Sequence, residues 1–194
     1  MPEGPDEVCA LRRRLLSVVA AGRLDAIVSL HTEMVGDAED AYPAVQVVES
    51  CWREFGTLGD ESHIRQAARP KVDELRAAAE SSGLPWARAV TAALDSVRGL
   101  IDLDVGDGSG SLVQVIGSTY AAALEFDQNG LAAPKGATSW FSFEATGQAA
   151  AADRIASMGH PISKEDLFQL RIGAGSDAMN YHRSLKVWMR QVQT

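Results

Sequence analysis

The sequence predicts an all-α protein: one multi-helix bundle of six or more helices, with an irregular joint near residues 130–140. Three observations carry this. Apolar residues recur every three or four positions along most of the chain. Helix-start residues and glycine stops punctuate that pattern. No stretch alternates with period two and no hairpin signal appears, which argues against a sheet.

The first helix is expected over 6–21. Val8, Leu11, Leu15, Val18 and Val19 form its apolar stripe, Pro5 suits its first turn, and Gly22 suits its stop. Leu24, Ile27, Val28 and His31 continue into a second helix that ends near Gly36. A third, over 41–55, carries Val45, Val48, Trp52 and Phe55. Its Pro43 is tolerable only near the start. Ile64, Ala68, Val72, Leu75 and Ala79 define a fourth, where Pro70 predicts a kink or a split into two.

The fifth helix, 86–101, has the cleanest stripe: Trp86, Val90, Ala93, Leu94, Val97 and Ile101. Ser111 and Gln114 read as a capping box opening a sixth over 111–128. Its face Leu112, Ile116, Tyr120 and Ala123 is expected to pack on the fifth, and Asn129-Gly130 closes it. A loop spans 131–138. Trp140 to Met158 reads as a helix interrupted by Gly147. Ser163 and Asp166 cap a helix from Lys164 that Gly173 and Gly175 interrupt, and a last one runs to Val192.

The chain has 194 residues, 46% of them hydrophobic and 23% charged. That is enough for one domain with a substantial core and no need of disulfides or metals. The domain is expected to cover 1–194, with 130–194 as a candidate C-terminal extension packing on 1–129. The formal net charge is −8, from 26 acidic and 18 basic residues. This argues against a nucleic-acid binder and against attraction to an anionic membrane, since both need surplus cations. It suits a basic partner. The basic run Arg12-Arg13-Arg14 fans around a helix and reads as a solvated face.

Cys9 and Cys51 both fall among apolar helical residues and are expected to be buried free thiols. The N-terminal residues are acidic and lack a signal-like apolar region. The uncharged stretch Ser111 to Leu124 is too short to span a bilayer. No membrane association is expected, and the expected compartment is the cytoplasm.

Motifs for chemistry are few. Asp102, Asp104 and Asp107 near Gly106, Gly108 and Gly110 could wrap a hard cation. They depart from the EF-hand pattern at its fifth, sixth and twelfth positions, so no metal site is expected. The same glycines lack the lysine of a phosphate loop. Gly173-Ala174-Gly175-Ser176-Asp177-Ala178 matches a dinucleotide fingerprint, but the sequence that follows is too short for the second strand and its ribose-binding acid. No cofactor is expected. His31, His63, His160 and His182 share no HExxH, ExxH or HxxxH spacing, and no serine sits in a GxSxG elbow.

Trp140-Phe141-Ser142-Phe143 follows the Gly/Pro loop. On a helix its three aromatics spread over roughly 300°. One buried stripe cannot take all three, so Trp140, Phe141 and Phe143 are the expected partner surface.

The opening Met1-Pro2-Glu3-Gly4-Pro5 resembles the N-terminus of the formamidopyrimidine/endonuclease VIII DNA glycosylases, but no β-sandwich patterning, zinc-finger cysteines or basic surface follow it. Over roughly residues 10–128, the helix ending in Trp52, the segment Ala92-Ala93-Leu94-Asp95-Ser96-Val97 and the segment Ser118-Thr119-Tyr120-Ala121 resemble the layout of the YjaG-like family of uncharacterised all-helical bacterial proteins. The resemblance implies an all-α bacterial protein and supplies no catalytic residues.

Two functional classes follow from the residues. The first is a non-enzymatic interaction protein, immunity- or antitoxin-like or self-associating, whose partner is another protein or a second copy of the chain. The second is a small-molecule binder or enzyme with an inter-helical pocket. Its candidate polar residues are His31, Glu49, Arg53, His63 and His182.

Overall fold

The fold is all-helical, as the periodicity predicts. The structure, a computed structural model, describes residues 5–36, 38–57, 59–104 and 109–192. Among these residues the elements run α1 (Pro5–Gly22), α2 (Asp25–Val35), α3 (Tyr42–Thr57), α4 (Ser62–Ser81), α5 (Ala87–Ile101), α6 (Ser109–Gln128), α7 (Trp140–Ser157) and α8 (Lys164–Val192). Short 3-10 turns at Ala38–Ala41 and Asp102–Asp104 precede α3 and follow α5. The helices expected at 6–21, 41–55, 86–101 and 111–128 all form within two residues of those limits.

The helices α1 and α2 are one apolar stretch bent at Arg23 and Leu24. By length and composition Asp6–Val35 could cross a bilayer, but most of it is buried inside the fold. Leu15, Val18, Leu24 and Ile27 are fully enclosed and form the axis of the core. The helices α3, α5 and α6 pack against α1, and α4 packs on α3 and α5. Then α7 and α8 cover the open side, with α8 lying along α2. Trp140, Tyr181, Leu185 and Trp188 of the C-terminal third join the same core as Leu15 and Leu24. Across the N-terminal half, Glu54 on α3 accepts hydrogen bonds from Arg14 on α1 (2.8 Å) and Arg65 on α4 (2.5 Å), which ties three helices together.

Four local expectations need correction. Of the kink or split expected at Pro70, the split does not occur: α4 runs unbroken past it. The proline deprives the Gln66 carbonyl of its intrahelical donor, but that part of the helix is held from outside. Gln66 Nε2 donates to the Ile101 carbonyl (3.1 Å), and Arg69 pairs with Asp102.

The buried face of α6 is Ser111, Val115, Thr119, Ala122, Ala123 and Phe126, while Leu112, Ile116 and Tyr120 are only half-buried. Close approach at Gly99 sets this rotation. A Cβ there would lie 2.6 Å from Val115 Cγ2, so only glycine lets α6 seat Val115 against α5.

Ser111 and Gln114 do not cap α6, which begins at Ser109. They bond instead to the Asp102 carbonyl (2.9 Å) and the Asp95 carbonyl (3.3 Å). Finally, Cys51 is buried, but Cys9 is exposed on the outer side of α1.

The stops behave as read. Gly130 adopts φ +67, and the Leu131 N–H reaches back to the Phe126 carbonyl (3.1 Å), closing α6 in a left-handed cap. Ser163 Oγ accepts from the Asp166 N–H (3.1 Å) at the start of α8.

Candidate functional site

Two places in the fold concentrate polar chemistry. The first is a charged cluster in the core, where α1 bends into α2 and meets α6, α7 and α8. Arg23 sits in the bend, 2% exposed. Its Nε donates to Glu144 Oε2 on α7 (3.1 Å), and its Nη1 bonds to Asp177 on α8. Glu144 is fully buried. It also accepts from Tyr181 Oη (2.9 Å) and Gln148 Nε2 (2.8 Å), and Gln148 bonds onward to Thr119 Oγ1 on α6 (2.5 Å). Phe143 lies 5.2 Å from the Arg23 guanidinium, within range of a cation–π contact. Burial and the neighbouring Glu144 push the Tyr181 hydroxyl well above its ordinary range, so it stays a donor. Burial also raises the Asp177 carboxyl, against the pull of Arg23.

Gly147 makes room for this cluster. A Cβ at that position would overlap the Arg23 guanidinium. The glycine that reads as a break in α7 is thus a slot in a continuous helix. Gly173 and Gly175 likewise leave α8 unbroken over its 29 residues. Between α7 and α8 the cluster borders a cleft of about 190 Å³, lined in part by Arg23, Arg154, Gly173 and Asp177. Among the described residues Arg23 is the one cation of the cluster, and it faces two carboxylates, Glu144 and Asp177. No nucleophile–base pair faces the cleft among the described residues.

The second place is a groove of about 740 Å³ between α2, the Ala38–Ala41 turn and the start of α3. It is lined by Ser29, Glu33, Glu39, Ala41, Tyr42 and Val45. Its lining is mainly apolar, with two glutamates at the rim. Of its lining, Tyr42 is 61% exposed. Glu33 has no ion-pair partner among the described residues.

The five residues proposed for an inter-helical pocket do not gather in one. His31 is buried on α2, where its Nδ1 accepts from Trp86 Nε1 (3.3 Å), and burial lowers its pKa. Glu49 pairs with Arg171 (2.7 Å) and Arg53 with Glu61 (2.9 Å), both near the surface. His63 is exposed on α4 and His182 half-buried on α8.

The aromatic segment also differs from expectation. Trp140 is fully buried, its ring centroid 4.7 Å from Tyr181 and 4.9 Å from Phe126. Phe143 is half-buried beside it at 5.7 Å. Only Phe141 reaches solvent, at 44% exposure, with Tyr120 4.9 Å away. The three aromatics do spread around α7. However, α7 is covered by α6 on one side and by α1 and the aromatic residues of α8 on another, so two of the three find a core. Asp127 fixes the segment by accepting from the Trp140 N–H (2.7 Å) and the Phe141 N–H (2.9 Å) at the helix start.

Of the acidic loop, Asp102 is engaged by Arg69. Asp107, Gly106 and Gly108 lie outside the described residues, as does the side chain of Asp104. No group of three or more metal-ligating side chains occurs among the described residues.

Where α2 begins, Asp25 faces Glu49 and Arg171. Burial, with Glu49 adding to it, raises its carboxyl to about 6. A carboxyl raised on folding favours the folded state below its unfolded value of 3.8, and that contribution is lost as pH rises through about 6. Asp25→Asn is therefore expected to stabilise the protein by on the order of 2–3 kcal/mol at pH 8 and by little at pH 3. Urea midpoints at the two pH values check this. An equal shift at both would overturn it.

The sequence reading missed Arg23, Thr119, Glu144, Gln148, Asp177 and Tyr181. The available signal was Gly147, a mid-helix glycine in an alanine-rich segment. Such a residue marks either a break or a close approach.

Comparison of the chain with protein-family models, with curated sequences and with solved structures gives no match.

Proposed function

We propose that the protein is a non-enzymatic interaction protein that captures a basic, apolar segment of a partner protein in the α2–α3 groove. The observation that carries this reading is the groove itself: an apolar lining of open, peptide-accepting size with Glu33 and Glu39 at its rim. Exposed Tyr42 in its lining is the kind of side chain that anchors interfaces. A lysine or arginine flanked by apolar residues would satisfy both the rim and the floor. The net charge of −8 would steer such a partner inward. In this mode the protein acts by occupying a partner, as immunity and antitoxin proteins do, and converts no substrate.

The test is fluorescence anisotropy with a labelled peptide of alternating lysine and leucine, against one of alternating glutamate and leucine. The basic peptide is expected to bind and the acidic one not to. Glu33→Lys with Glu39→Lys is expected to weaken binding by about tenfold or more, roughly 1.4 kcal/mol. Equal binding by the double variant would overturn the proposal.

A further inference from the structure

Many arginines of the fold sit against a carboxylate: Arg14, Arg23, Arg53, Arg65, Arg76, Arg98 and Arg171 each pair with one. The last half of α8 is different. Residues 178–192 carry Arg183, Lys186 and Arg190 and no acidic residue. None of the three cations has an ion-pair partner among the described residues. At about 100° per residue, Met179, Arg183, Lys186, Val187 and Arg190 share one side of the helix. Met179 and Val187 there are 46% and 50% exposed. The opposite side holds Tyr181, Leu185, Trp188 and Met189, all buried. The helix dipole accounts for Arg190 in the last turn but not for Arg183 or Lys186.

The groove has the reverse character. Two of its lining residues, Glu33 and Glu39, are acidic, and none is a cation. Ala41, Tyr42 and Val45 supply its apolar surface, and Tyr42 is exposed. The molecule thus presents a basic, apolar ridge and an acidic, apolar groove as separate surfaces.

We infer that the groove of one copy receives the outer ridge of α8 from a second copy, with Arg183, Lys186 and Arg190 opposite Glu33 and Glu39 and with Met179 and Val187 on the apolar floor. This rests on the reading of the groove as a site for a basic segment and assigns that segment. A polyanion is a poorer occupant of the ridge, because three cations in a chain of net charge −8 make a weak electrostatic footprint. The contact joins unlike surfaces, so it is heterologous.

Sedimentation velocity on the full chain tests the inference. The wild type is expected to associate with increasing concentration at low salt. It should dissociate at about 1 M salt, where charges are screened within about 3 Å. Glu33→Lys with Glu39→Lys is expected to be monomeric, and so is Lys186→Glu with Arg190→Glu. An equimolar mixture of the two double variants is expected to associate again, because each supplies the surface that now complements the other. All four substitutions are at exposed positions, and the far-ultraviolet helical signal of each variant verifies folding. A wild type that stays monomeric at low salt overturns the inference, as does association that neither double variant reduces. If the monomeric chain still binds the lysine–leucine peptide in a Glu33-dependent way, only the self-docking falls. If the groove variants leave peptide binding untouched, the reading beneath it falls as well.

Discussion

Replacing Arg23 with methionine is expected to cost about 3–5 kcal/mol, a large part of the roughly 5–15 kcal/mol that holds a domain together. The reason is what it leaves behind. Glu144 is fully buried, and Arg23 is the cation against it. Tyr181 and Gln148 still donate to its oxygens, but neither brings a charge. Asp177 loses its partner too, though it is half-buried and can turn toward water. A buried charge without its counter-ion is much worse than a buried pair replaced by neutral groups of similar volume. The double variant Arg23→Met with Glu144→Gln is therefore expected to recover most of the loss. Urea unfolding of the two variants checks both statements. A single variant within 1 kcal/mol of wild type would show that the cluster contributes little.

Gly147→Ala is expected to destabilise by about 2–4 kcal/mol, although alanine is favoured over glycine in a helix by about 1 kcal/mol. The added methyl group would occupy the space of the Arg23 guanidinium. An unrestrained arginine end could swing aside at small cost. This one is held by Glu144 and Asp177, so making room means breaking the cluster. In the Arg23→Met background the obstacle is gone, and the same substitution is expected to be neutral or to stabilise by up to about 1 kcal/mol. The change of sign is the decisive outcome, read as a double-mutant cycle. An equal loss in both backgrounds would locate the conflict elsewhere.

The helices were legible because their apolar periodicity is strong, and α5 most of all, where Trp86, Val90, Leu94 and Val97 are all buried as read. Helix ends were legible where they use local chemistry, as at Gly130 and Ser163. The rotation of α6 was not, because a shift of the stripe by one residue, roughly a quarter turn, depends on how closely a neighbour approaches, and Gly99 lies in a different helix. The charged cluster was illegible for the same reason. Arg23, Glu144 and Asp177 are more than thirty positions apart in sequence, and each alone looks like an ordinary surface charge. Gly147, Gly173 and Gly175 have one identity and several uses; a sequence window cannot separate a break from a slot. The aromatic run at 140–143 was read correctly as too wide for one stripe. What the window lacked was that α7 has neighbours on more than one side. The acidic, apolar groove went unnoticed because Glu33, Glu39 and Tyr42 fall on either side of a bend between two helices.

The ring cluster around Phe126 bears on the order in which the protein can be made. Phe126 meets Trp140, Tyr181 and Trp188, three side chains supplied by α7 and by the second half of α8. A chain under synthesis carries α1 to α6 as a finished set of helices long before residue 188 is joined. Through that interval the enclosed faces of Phe126 and of Leu24 have no lid. The nascent chain must be kept from aggregating on a surface that the finished molecule never displays.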